Sequence, residues 1–446
     1  MSARGEFSSR IGFVLAAAGS AVGLGNIWGF PTQVASNGGA AFVLIYILLA
    51  FLLAYPVLMA ELIIGRATRS NMVDALSKIS NGNILGKVTG VWGFVTVSLI
   101  LSFYALVAGW MLSYFLQTIS DMAGQESLST WLVASSYTRD ILFCGLFLCL
   151  TASIVTGGVS KGIEKWSVRL MPALFIIIAL LIIYVSTLEG AMDGWKAYLQ
   201  PDFSLILDPK LLINAMGQAF FSMSLGVGTM LVYGSYVSKK ENLPTLGASV
   251  ALVDIGVAIL AGMLIIPAMY VALHNGIKIF TDTGALIDGP NLIFAVLPSL
   301  FDSMGTVGVF VAFVFFALML IAALTSSISM LEVPVAYVVE SKRVNRKKAV
   351  WLLTIIIFLI SSTIAFNMAT LFGLVIDLTT KYSQPLLGLV LCIFAGWIWK
   401  RDQILTEIKQ GNEHAEQSIF WKVWPWYVRF VCPIVIVIMF YLSIFG

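Results

Sequence analysis

Gly19-Ser20-Ala21-Val22-Gly23-Leu24-Gly25-Asn26-Ile27-Trp28-Gly29-Phe30-Pro31 reads as a membrane helix that cannot satisfy its own backbone. The stretch lies within an apolar segment at 11 to 34, yet it carries four glycines, an asparagine and a proline. Hydrocarbon offers no water to replace a lost hydrogen bond, so a plain span keeps its ladder intact. Close helix packing explains any single glycine but does not call for Asn26 beside Gly25. The segment is therefore expected to unwind at Gly23-Leu24-Gly25-Asn26, where the break can hold a small solute and its coupling ions.

The rest of the chain fits a bilayer. Of its 446 residues, 59% are hydrophobic and 11% charged, whereas soluble domains carry about 25% charged residues. Eleven apolar runs are read at 11 to 34, 41 to 66, 88 to 119, 140 to 157, 166 to 187, 211 to 236, 244 to 273, 305 to 339, 349 to 366, 369 to 399 and 426 to 445. A helical crossing needs roughly 20 residues, so these are helices and not barrel strands. With a cytoplasmic N-terminus, 21 of the 26 Lys and Arg residues fall on the cytoplasmic side. That asymmetry orients the N-terminus inside and the C-terminus outside. The net charge of +3 is the same asymmetry and calls for no nucleic acid. A cleaved leader over 1 to 25 is disfavoured, because the segment runs on to Pro31 and the topology needs it. Cys144, Cys149, Cys392 and Cys432 lie in apolar spans without metal-ligand spacing, and His274 and His414 stand alone. A zinc site or a hydrolytic triad is thereby disfavoured, and with it an enzyme.

A second break is expected in the sixth span, over Ser222-Met223-Ser224-Leu225-Gly226-Val227-Gly228. Carbonyls freed by unwinding become cation ligands, and the half-helix N-termini become anion sites. Ionisable groups at membrane depth are costly and functional by default. Asp254 in span 7 is the hardest to explain structurally, while Glu61 in span 2 fits a backbone brace and a functional carboxylate equally well. Glu332 in span 8 and Asp377 in span 10 lean toward the interface. The hydroxyl run Thr325-Ser326-Ser327 is weak alone, because such side chains often bond back to their own helix.

Together these residues resemble the neurotransmitter:sodium symporter family. The resemblance rests on the span 1 stretch followed by Asn37-Gly38-Gly39, and on Glu61-Leu-Ile-Ile-Gly-Arg66, Lys161-Gly-Ile-Glu164, Pro201-Asp-Phe-Ser204, Gln218 to Gly228 and Ala322-Ala-Leu-Thr-Ser-Ser327. It covers essentially the whole chain. It implies an all-α membrane protein of the LeuT-like fold, a 5+5 inverted-repeat bundle with discontinuous helices 1 and 6 and one extra C-terminal helix. The first repeat and an outer loop would take 1–200, the second repeat 201–400, and a cytoplasmic linker with helix 11 residues 401–446. The eleven-span form is similar to the family's bacterial branch, which implies the bacterial inner membrane. The implied activity is sodium-coupled import of a neutral, hydrophobic or aromatic amino acid by alternating access. The alternatives are a carrier of another small zwitterion and a transporter-fold sensor. A channel would need a continuous polar pore.

The resemblance also implies sites. One sodium ion would be held by the Ala21 carbonyl, Asn26, Ser222, Asp254 and the substrate carboxylate; a second by the Gly19, Val22 and Ala322 carbonyls with Thr325 and Ser326. Asp254 stands where many members have Asn, and Ala258 where chloride-dependent members have Ser. A fixed carboxylate at Asp254, helped by Glu61, would replace chloride, so chloride is not expected. Gly23 stands where monoamine carriers have Asp, which implies an amino acid whose carboxylate meets sodium, the Leu24 and Gly25 amides and Tyr104. Its ammonium would meet carbonyls near Ser20 and Phe221. The side chain would rest among Ile100, Tyr104, Phe221, Ser224, Val227, Ser326 and Met330, with Val227 in place of a Phe found in the leucine carrier. Gly29 and Ile376 take the positions of the family's outer Arg and Asp, so the outer latch is expected to be absent. Arg4 and Glu340 would form the inner gate pair, plugged by Phe7.

Overall fold

Asparagine side chains set where several long helices begin. Asn83 Oδ1 accepts from Leu85 N at 3.0 Å, Asn242 from Thr245 N at 3.3 Å and Asn345 from Lys347 N at 3.0 Å. Each satisfies an N–H that the first helical turn leaves without a partner. The computed structural model describes residues 5–282, 286–287 and 289–445. Among these residues the chain is helical, with two isolated β-bridges and no strand.

Nine helices among the described residues are long and apolar enough to cross a membrane. They are span 2 (Ala40–Thr68), span 3 (Ile84–Met122), span 4 (Tyr137–Thr156), span 5 (Val159–Ser186), span 7 (Leu243–His274), span 8 (Thr306–Ser341), span 9 (Arg346–Phe366), span 10 (Met368–Ile398) and span 11 (Ile419–Ser443). Span 1 is a bent pair, Arg10–Ala21 and Gly25–Ser36, angled by 58°. Span 6 is cut into Pro209–Ser222 and Thr229–Gly234, pieces too short to cross alone. Several ends differ from the hydropathy reading because caps and aromatic contacts carry helices past the apolar run. Span 11 starts at Ile419 and not at 426, and within it Arg429 Cζ lies 4.1 Å from the Trp397 ring centroid, a cation–π contact that shelters the charge.

The first half of span 1 packs against spans 5, 7 and 8, and both halves of span 6 pack against span 2. Span 3 runs along span 8. The two broken helices are thus walled by unbroken ones, as unwound backbone at membrane depth requires.

The first break is displaced from its expected position. The helix ends at Ala21, Val22 is extended (φ −71°, ψ 110°), and a wide-turned π segment begins at Gly25. Asn26 therefore belongs to the second half and not to the gap. Its Oδ1 accepts from Gly23 N at 3.1 Å, the back-reaching half of a capping box. In span 6 the gap runs from Met223 to Gly228, with Gly226 at φ 80° and Gly228 at φ 77°, left-handed conformations in which glycine carries no Cβ penalty.

Two charges are buried within the protein. Glu332 is fully buried, and Tyr236 Oη donates to it at 2.8 Å while Arg346 reaches in at 2.5 Å. Arg66, near the end of span 2, is also fully buried. It donates through Nε to Glu407 Oε1 and through Nη1 to the Glu241 carbonyl, both at 2.6 Å, pinning the linker helix Arg401–Lys409 beneath span 2.

Candidate functional site

The two breaks face each other across one small cavity of about 30 Å³, lined from both broken helices. All thirteen residues of the expected substrate set line it, from Ser20 to Met330, and the structure adds Val97 and Gln384. Span 6 is tied to span 1 on both sides of the cavity: Ser224 Oγ donates to the Ser20 carbonyl at 3.1 Å and Gln218 Nε2 to the Gly25 carbonyl at 2.7 Å. A Cβ on Gly23 would lie 2.7 Å from Ser326 Oγ and 3.1 Å from Tyr104 Oη, and one on Gly25 would lie 2.7 Å from Phe221 Cδ1. A larger residue at either position would press on these side chains. Among the described residues, the buried Tyr104 hydroxyl has no hydrogen-bond partner.

Beside this cavity, Asn26, Ser222 and Asp254 converge. Asn26 Nδ2 donates to Asp254 Oδ1 and to Ser222 Oγ, each at 2.9 Å, and Ser222 Oγ donates to Asp254 Oδ2 at 2.7 Å. Asp254 is fully buried. Ala21, the remaining protein member of this set, lines the cavity. The second set converges as well: Ser326 Oγ donates to the Val22 carbonyl at 2.8 Å and the Gly19 carbonyl at 3.2 Å, and Thr325 Oγ1 to the Ala322 carbonyl at 3.1 Å. A Cβ on Gly19 would stand 3.1 Å from Thr325 Cβ, so the two halves of the set are in contact. The carboxylate, hydroxyl and carbonyl members of both clusters are hard oxygens, with no sulfur or imidazole, a donor set that fits an alkali cation and not a transition metal; Asn26 turns its Nδ2 toward Asp254 and Ser222 while its Oδ1 accepts from Gly23 N.

Glu61 acts across the second break. It is fully buried, and its two oxygens accept from Gly226 N at 2.7 Å and Leu231 N at 3.1 Å. It does not touch the Asp254 cluster through any hydrogen bond among the described residues, so its geometry is that of a brace for unwound backbone.

At the N-terminal end, Phe7 is buried with ring centroids 5.3 Å from Phe13 and 5.7 Å from Tyr233, wedged between spans 1 and 6. Glu340 Oε2 accepts from Asn71 N at 2.8 Å; its expected partner Arg4 lies outside the described residues. A latch that the sequence reading missed stands nearby. Glu164 accepts from Ser8 N and Ser8 Oγ, both at 2.7 Å, and from Ser9 Oγ at 3.1 Å. Gly12 must be glycine to admit this carboxylate, since a Cβ there would lie 2.6 Å from Glu164 Cδ. Its signal in sequence is slight, because the partners are 155 residues or more apart. Glu164→Ala is expected to free the start of span 1: a cysteine placed at Ala18, in a background lacking native cysteines, should label about tenfold faster from the N-terminal face, as the loss of charge-assisted bonds allows. Unchanged labelling would remove Glu164 from the gate. At the opposite end, Asp377 pairs with Lys381 of its own helix at 2.8 Å, and Gly29 faces Gln218, whose Oε1 would lie 3.2 Å from an added Cβ.

Comparison with known proteins bears on this geometry. The model of the sodium:neurotransmitter symporter family matches residues 4–136 and 135–446. The sodium-dependent transporter YhdH of Bacillus subtilis is 36% identical over 98% of this chain and 96% of its own length. A sodium-dependent transporter of Haemophilus influenzae is 33% identical over 99% and 98%. The crystal structure of MhsT in complex with L-phenylalanine superposes with a TM-score of 0.85 at 38% identity, covering 99% of this chain and 100% of that one. Paired breaks at membrane depth, oxygen clusters beside them and likeness along the full length agree: this chain belongs to the sodium:neurotransmitter symporter family, as a sodium-dependent multi-pass transporter of the LeuT-like fold and not an enzyme.

Proposed function

We propose that the chain imports a neutral amino acid with a hydrophobic or aromatic side chain, coupled to sodium. One observation carries the reading: among the described residues, the lining of the cavity between the breaks holds no charged side chain. A substrate bearing a net charge would find no counter-charge at this depth, which is costly. A zwitterion balances itself. Its carboxylate would meet the free Tyr104 hydroxyl and a sodium ion at the Asn26, Ser222 and Asp254 cluster, while the apolar walls take its side chain. The solved relative holding L-phenylalanine is consistent with such a ligand.

Two sodium ions are proposed, one at each oxygen cluster, with Asp254 supplying the fixed negative charge in place of chloride. Sodium and substrate share the carboxylate, so each raises the affinity of the other by the same factor. Each sodium charge crossing the membrane contributes roughly 2.3 kcal/mol per 100 mV, which drives uptake uphill. Inverted repeats over 1–200 and 201–400 would rock about the fixed site in a bacterial inner membrane, with the N-terminus cytoplasmic and the C-terminus outside.

Counterflow of labelled neutral amino acids in proteoliposomes, with and without sodium, tests the reading. Sodium-dependent counterflow with competition by aromatic and branched residues is the expected result. Binding without counterflow would favour a sensor, and preference for a charged or very small solute would overturn the substrate class.

A further inference from the structure

Gln384 gives this cavity a hydrogen-bond acceptor that the protein leaves unused. The residue is 3% exposed and opens the helix Gln384–Ile393 of span 10, directly after the wide-turned segment Asp377–Ser383. Its Nε2 donates to the Leu225 carbonyl in the span 6 break at 3.2 Å. That bond orients the amide, since only the nitrogen can donate. The other atom, Oε1, is buried and has no hydrogen-bond partner among the described residues. An acceptor left unpaired at such a site is destabilising, so an apolar residue would serve packing better.

The position of Gln384 relates it to the substrate side chain. Tyr104 and Ser326 mark the end of the cavity assigned to the carboxylate. Val97 precedes Tyr104 by seven residues on the unbroken span 3, about 10 Å along the axis, and Met330 follows Ser326 by about one turn of span 8. Both residues line the cavity, which therefore extends well past the zwitterion end. The Gln384 backbone packs on Gly226, the neighbour of Val227, and Gln384 lines the cavity together with the apolar Val97, Val227 and Met330.

We propose that Gln384 Oε1 accepts a hydrogen bond from the far end of the transported side chain. The carrier then selects large apolar amino acids that end in an N–H or O–H donor, indole foremost, over pure hydrocarbon ones. The proposal rests on the amino-acid reading above and narrows it. A net neutral hydrogen bond discriminates by about three- to tenfold.

The test is competition against labelled L-phenylalanine in proteoliposomes of the full chain, by L-tryptophan and by 1-methyl-L-tryptophan, which lacks the donor. Wild type is expected to favour tryptophan by about three- to tenfold, and Gln384→Leu to bring that ratio close to one by weakening tryptophan selectively. A ratio equal in wild type and variant overturns the proposal, as does an equal loss of both ligands, which would make Gln384 a brace for the break alone. If the variant does not assemble, a wild-type ratio near one is already sufficient to overturn it. Failure of every neutral amino acid to compete would instead bring down the amino-acid reading, and this proposal with it.

Discussion

Asp254→Ala is expected to lower sodium-driven uptake by a hundredfold or more, through lost sodium affinity. The carboxylate is fully buried and accepts from Asn26 Nδ2 at 2.9 Å and Ser222 Oγ at 2.7 Å. Removing one partner from a buried charge pair costs about 3–5 kcal/mol, and each 1.4 kcal/mol is tenfold. Here the partner left without its counter-charge would be the sodium ion proposed at this cluster. Asp254→Asn separates charge from shape: it keeps the volume and an acceptor but removes the negative charge. Ala258 lies one turn along the same helix and is buried. The double change Asp254→Asn with Ala258→Ser is expected to make uptake chloride-stimulated, because a mobile anion can then supply the missing charge. Uptake against sodium concentration, in chloride and in gluconate media, reads both effects. Wild-type uptake that collapses without chloride would contradict the role given to Asp254.

The second large effect concerns Glu61. Its two oxygens serve Gly226 N and Leu231 N, one inside the span 6 gap and one in the helix beyond it. Glu61→Ala leaves both N–H groups buried without a partner, at about 1–3 kcal/mol each, and adds a cavity. The melting temperature in detergent is expected to fall by about 5–10 °C, with transport lost. Glu61→Gln should be intermediate, since its amide oxygen serves one N–H while its NH₂ opposes the other. Melting followed by the folded fraction eluting from a sizing column measures this. A melting point for Glu61→Ala within about one degree of wild type would show that the gap does not depend on the brace.

These two carboxylates also show where sequence reading succeeds and where it stops. Each was conspicuous as an ionisable group within an apolar run, but only the fold separates them: Asp254 joins the oxygen cluster beside the cavity between the breaks, and Glu61 spans the neighbouring gap. Val97 went unnoticed although it sits seven residues from Tyr104 on one helix, a spacing that would have found it. Gln384 went unnoticed because a neutral amide within a span raises less alarm than a charge. The ties made by Glu164, Arg66 and Glu332 were not legible, since their partners Ser8, Glu407 and Arg346 come from other segments of the chain.

The sequence by itself determined that the chain spans a membrane many times and that its first and sixth helices break. Hydrophobic runs and mid-span glycine, asparagine and serine act through local backbone physics. Which way each break turns, and which groups meet across it, was decided only by tertiary structure. Asn26 capping Gly23 moves the gap toward Val22. The Leu225 carbonyl takes the Gln384 amide proton and leaves Oε1 without a partner among the described residues. Such pairings are set by the distance between packed helices, a quantity that no local pattern of residues contains.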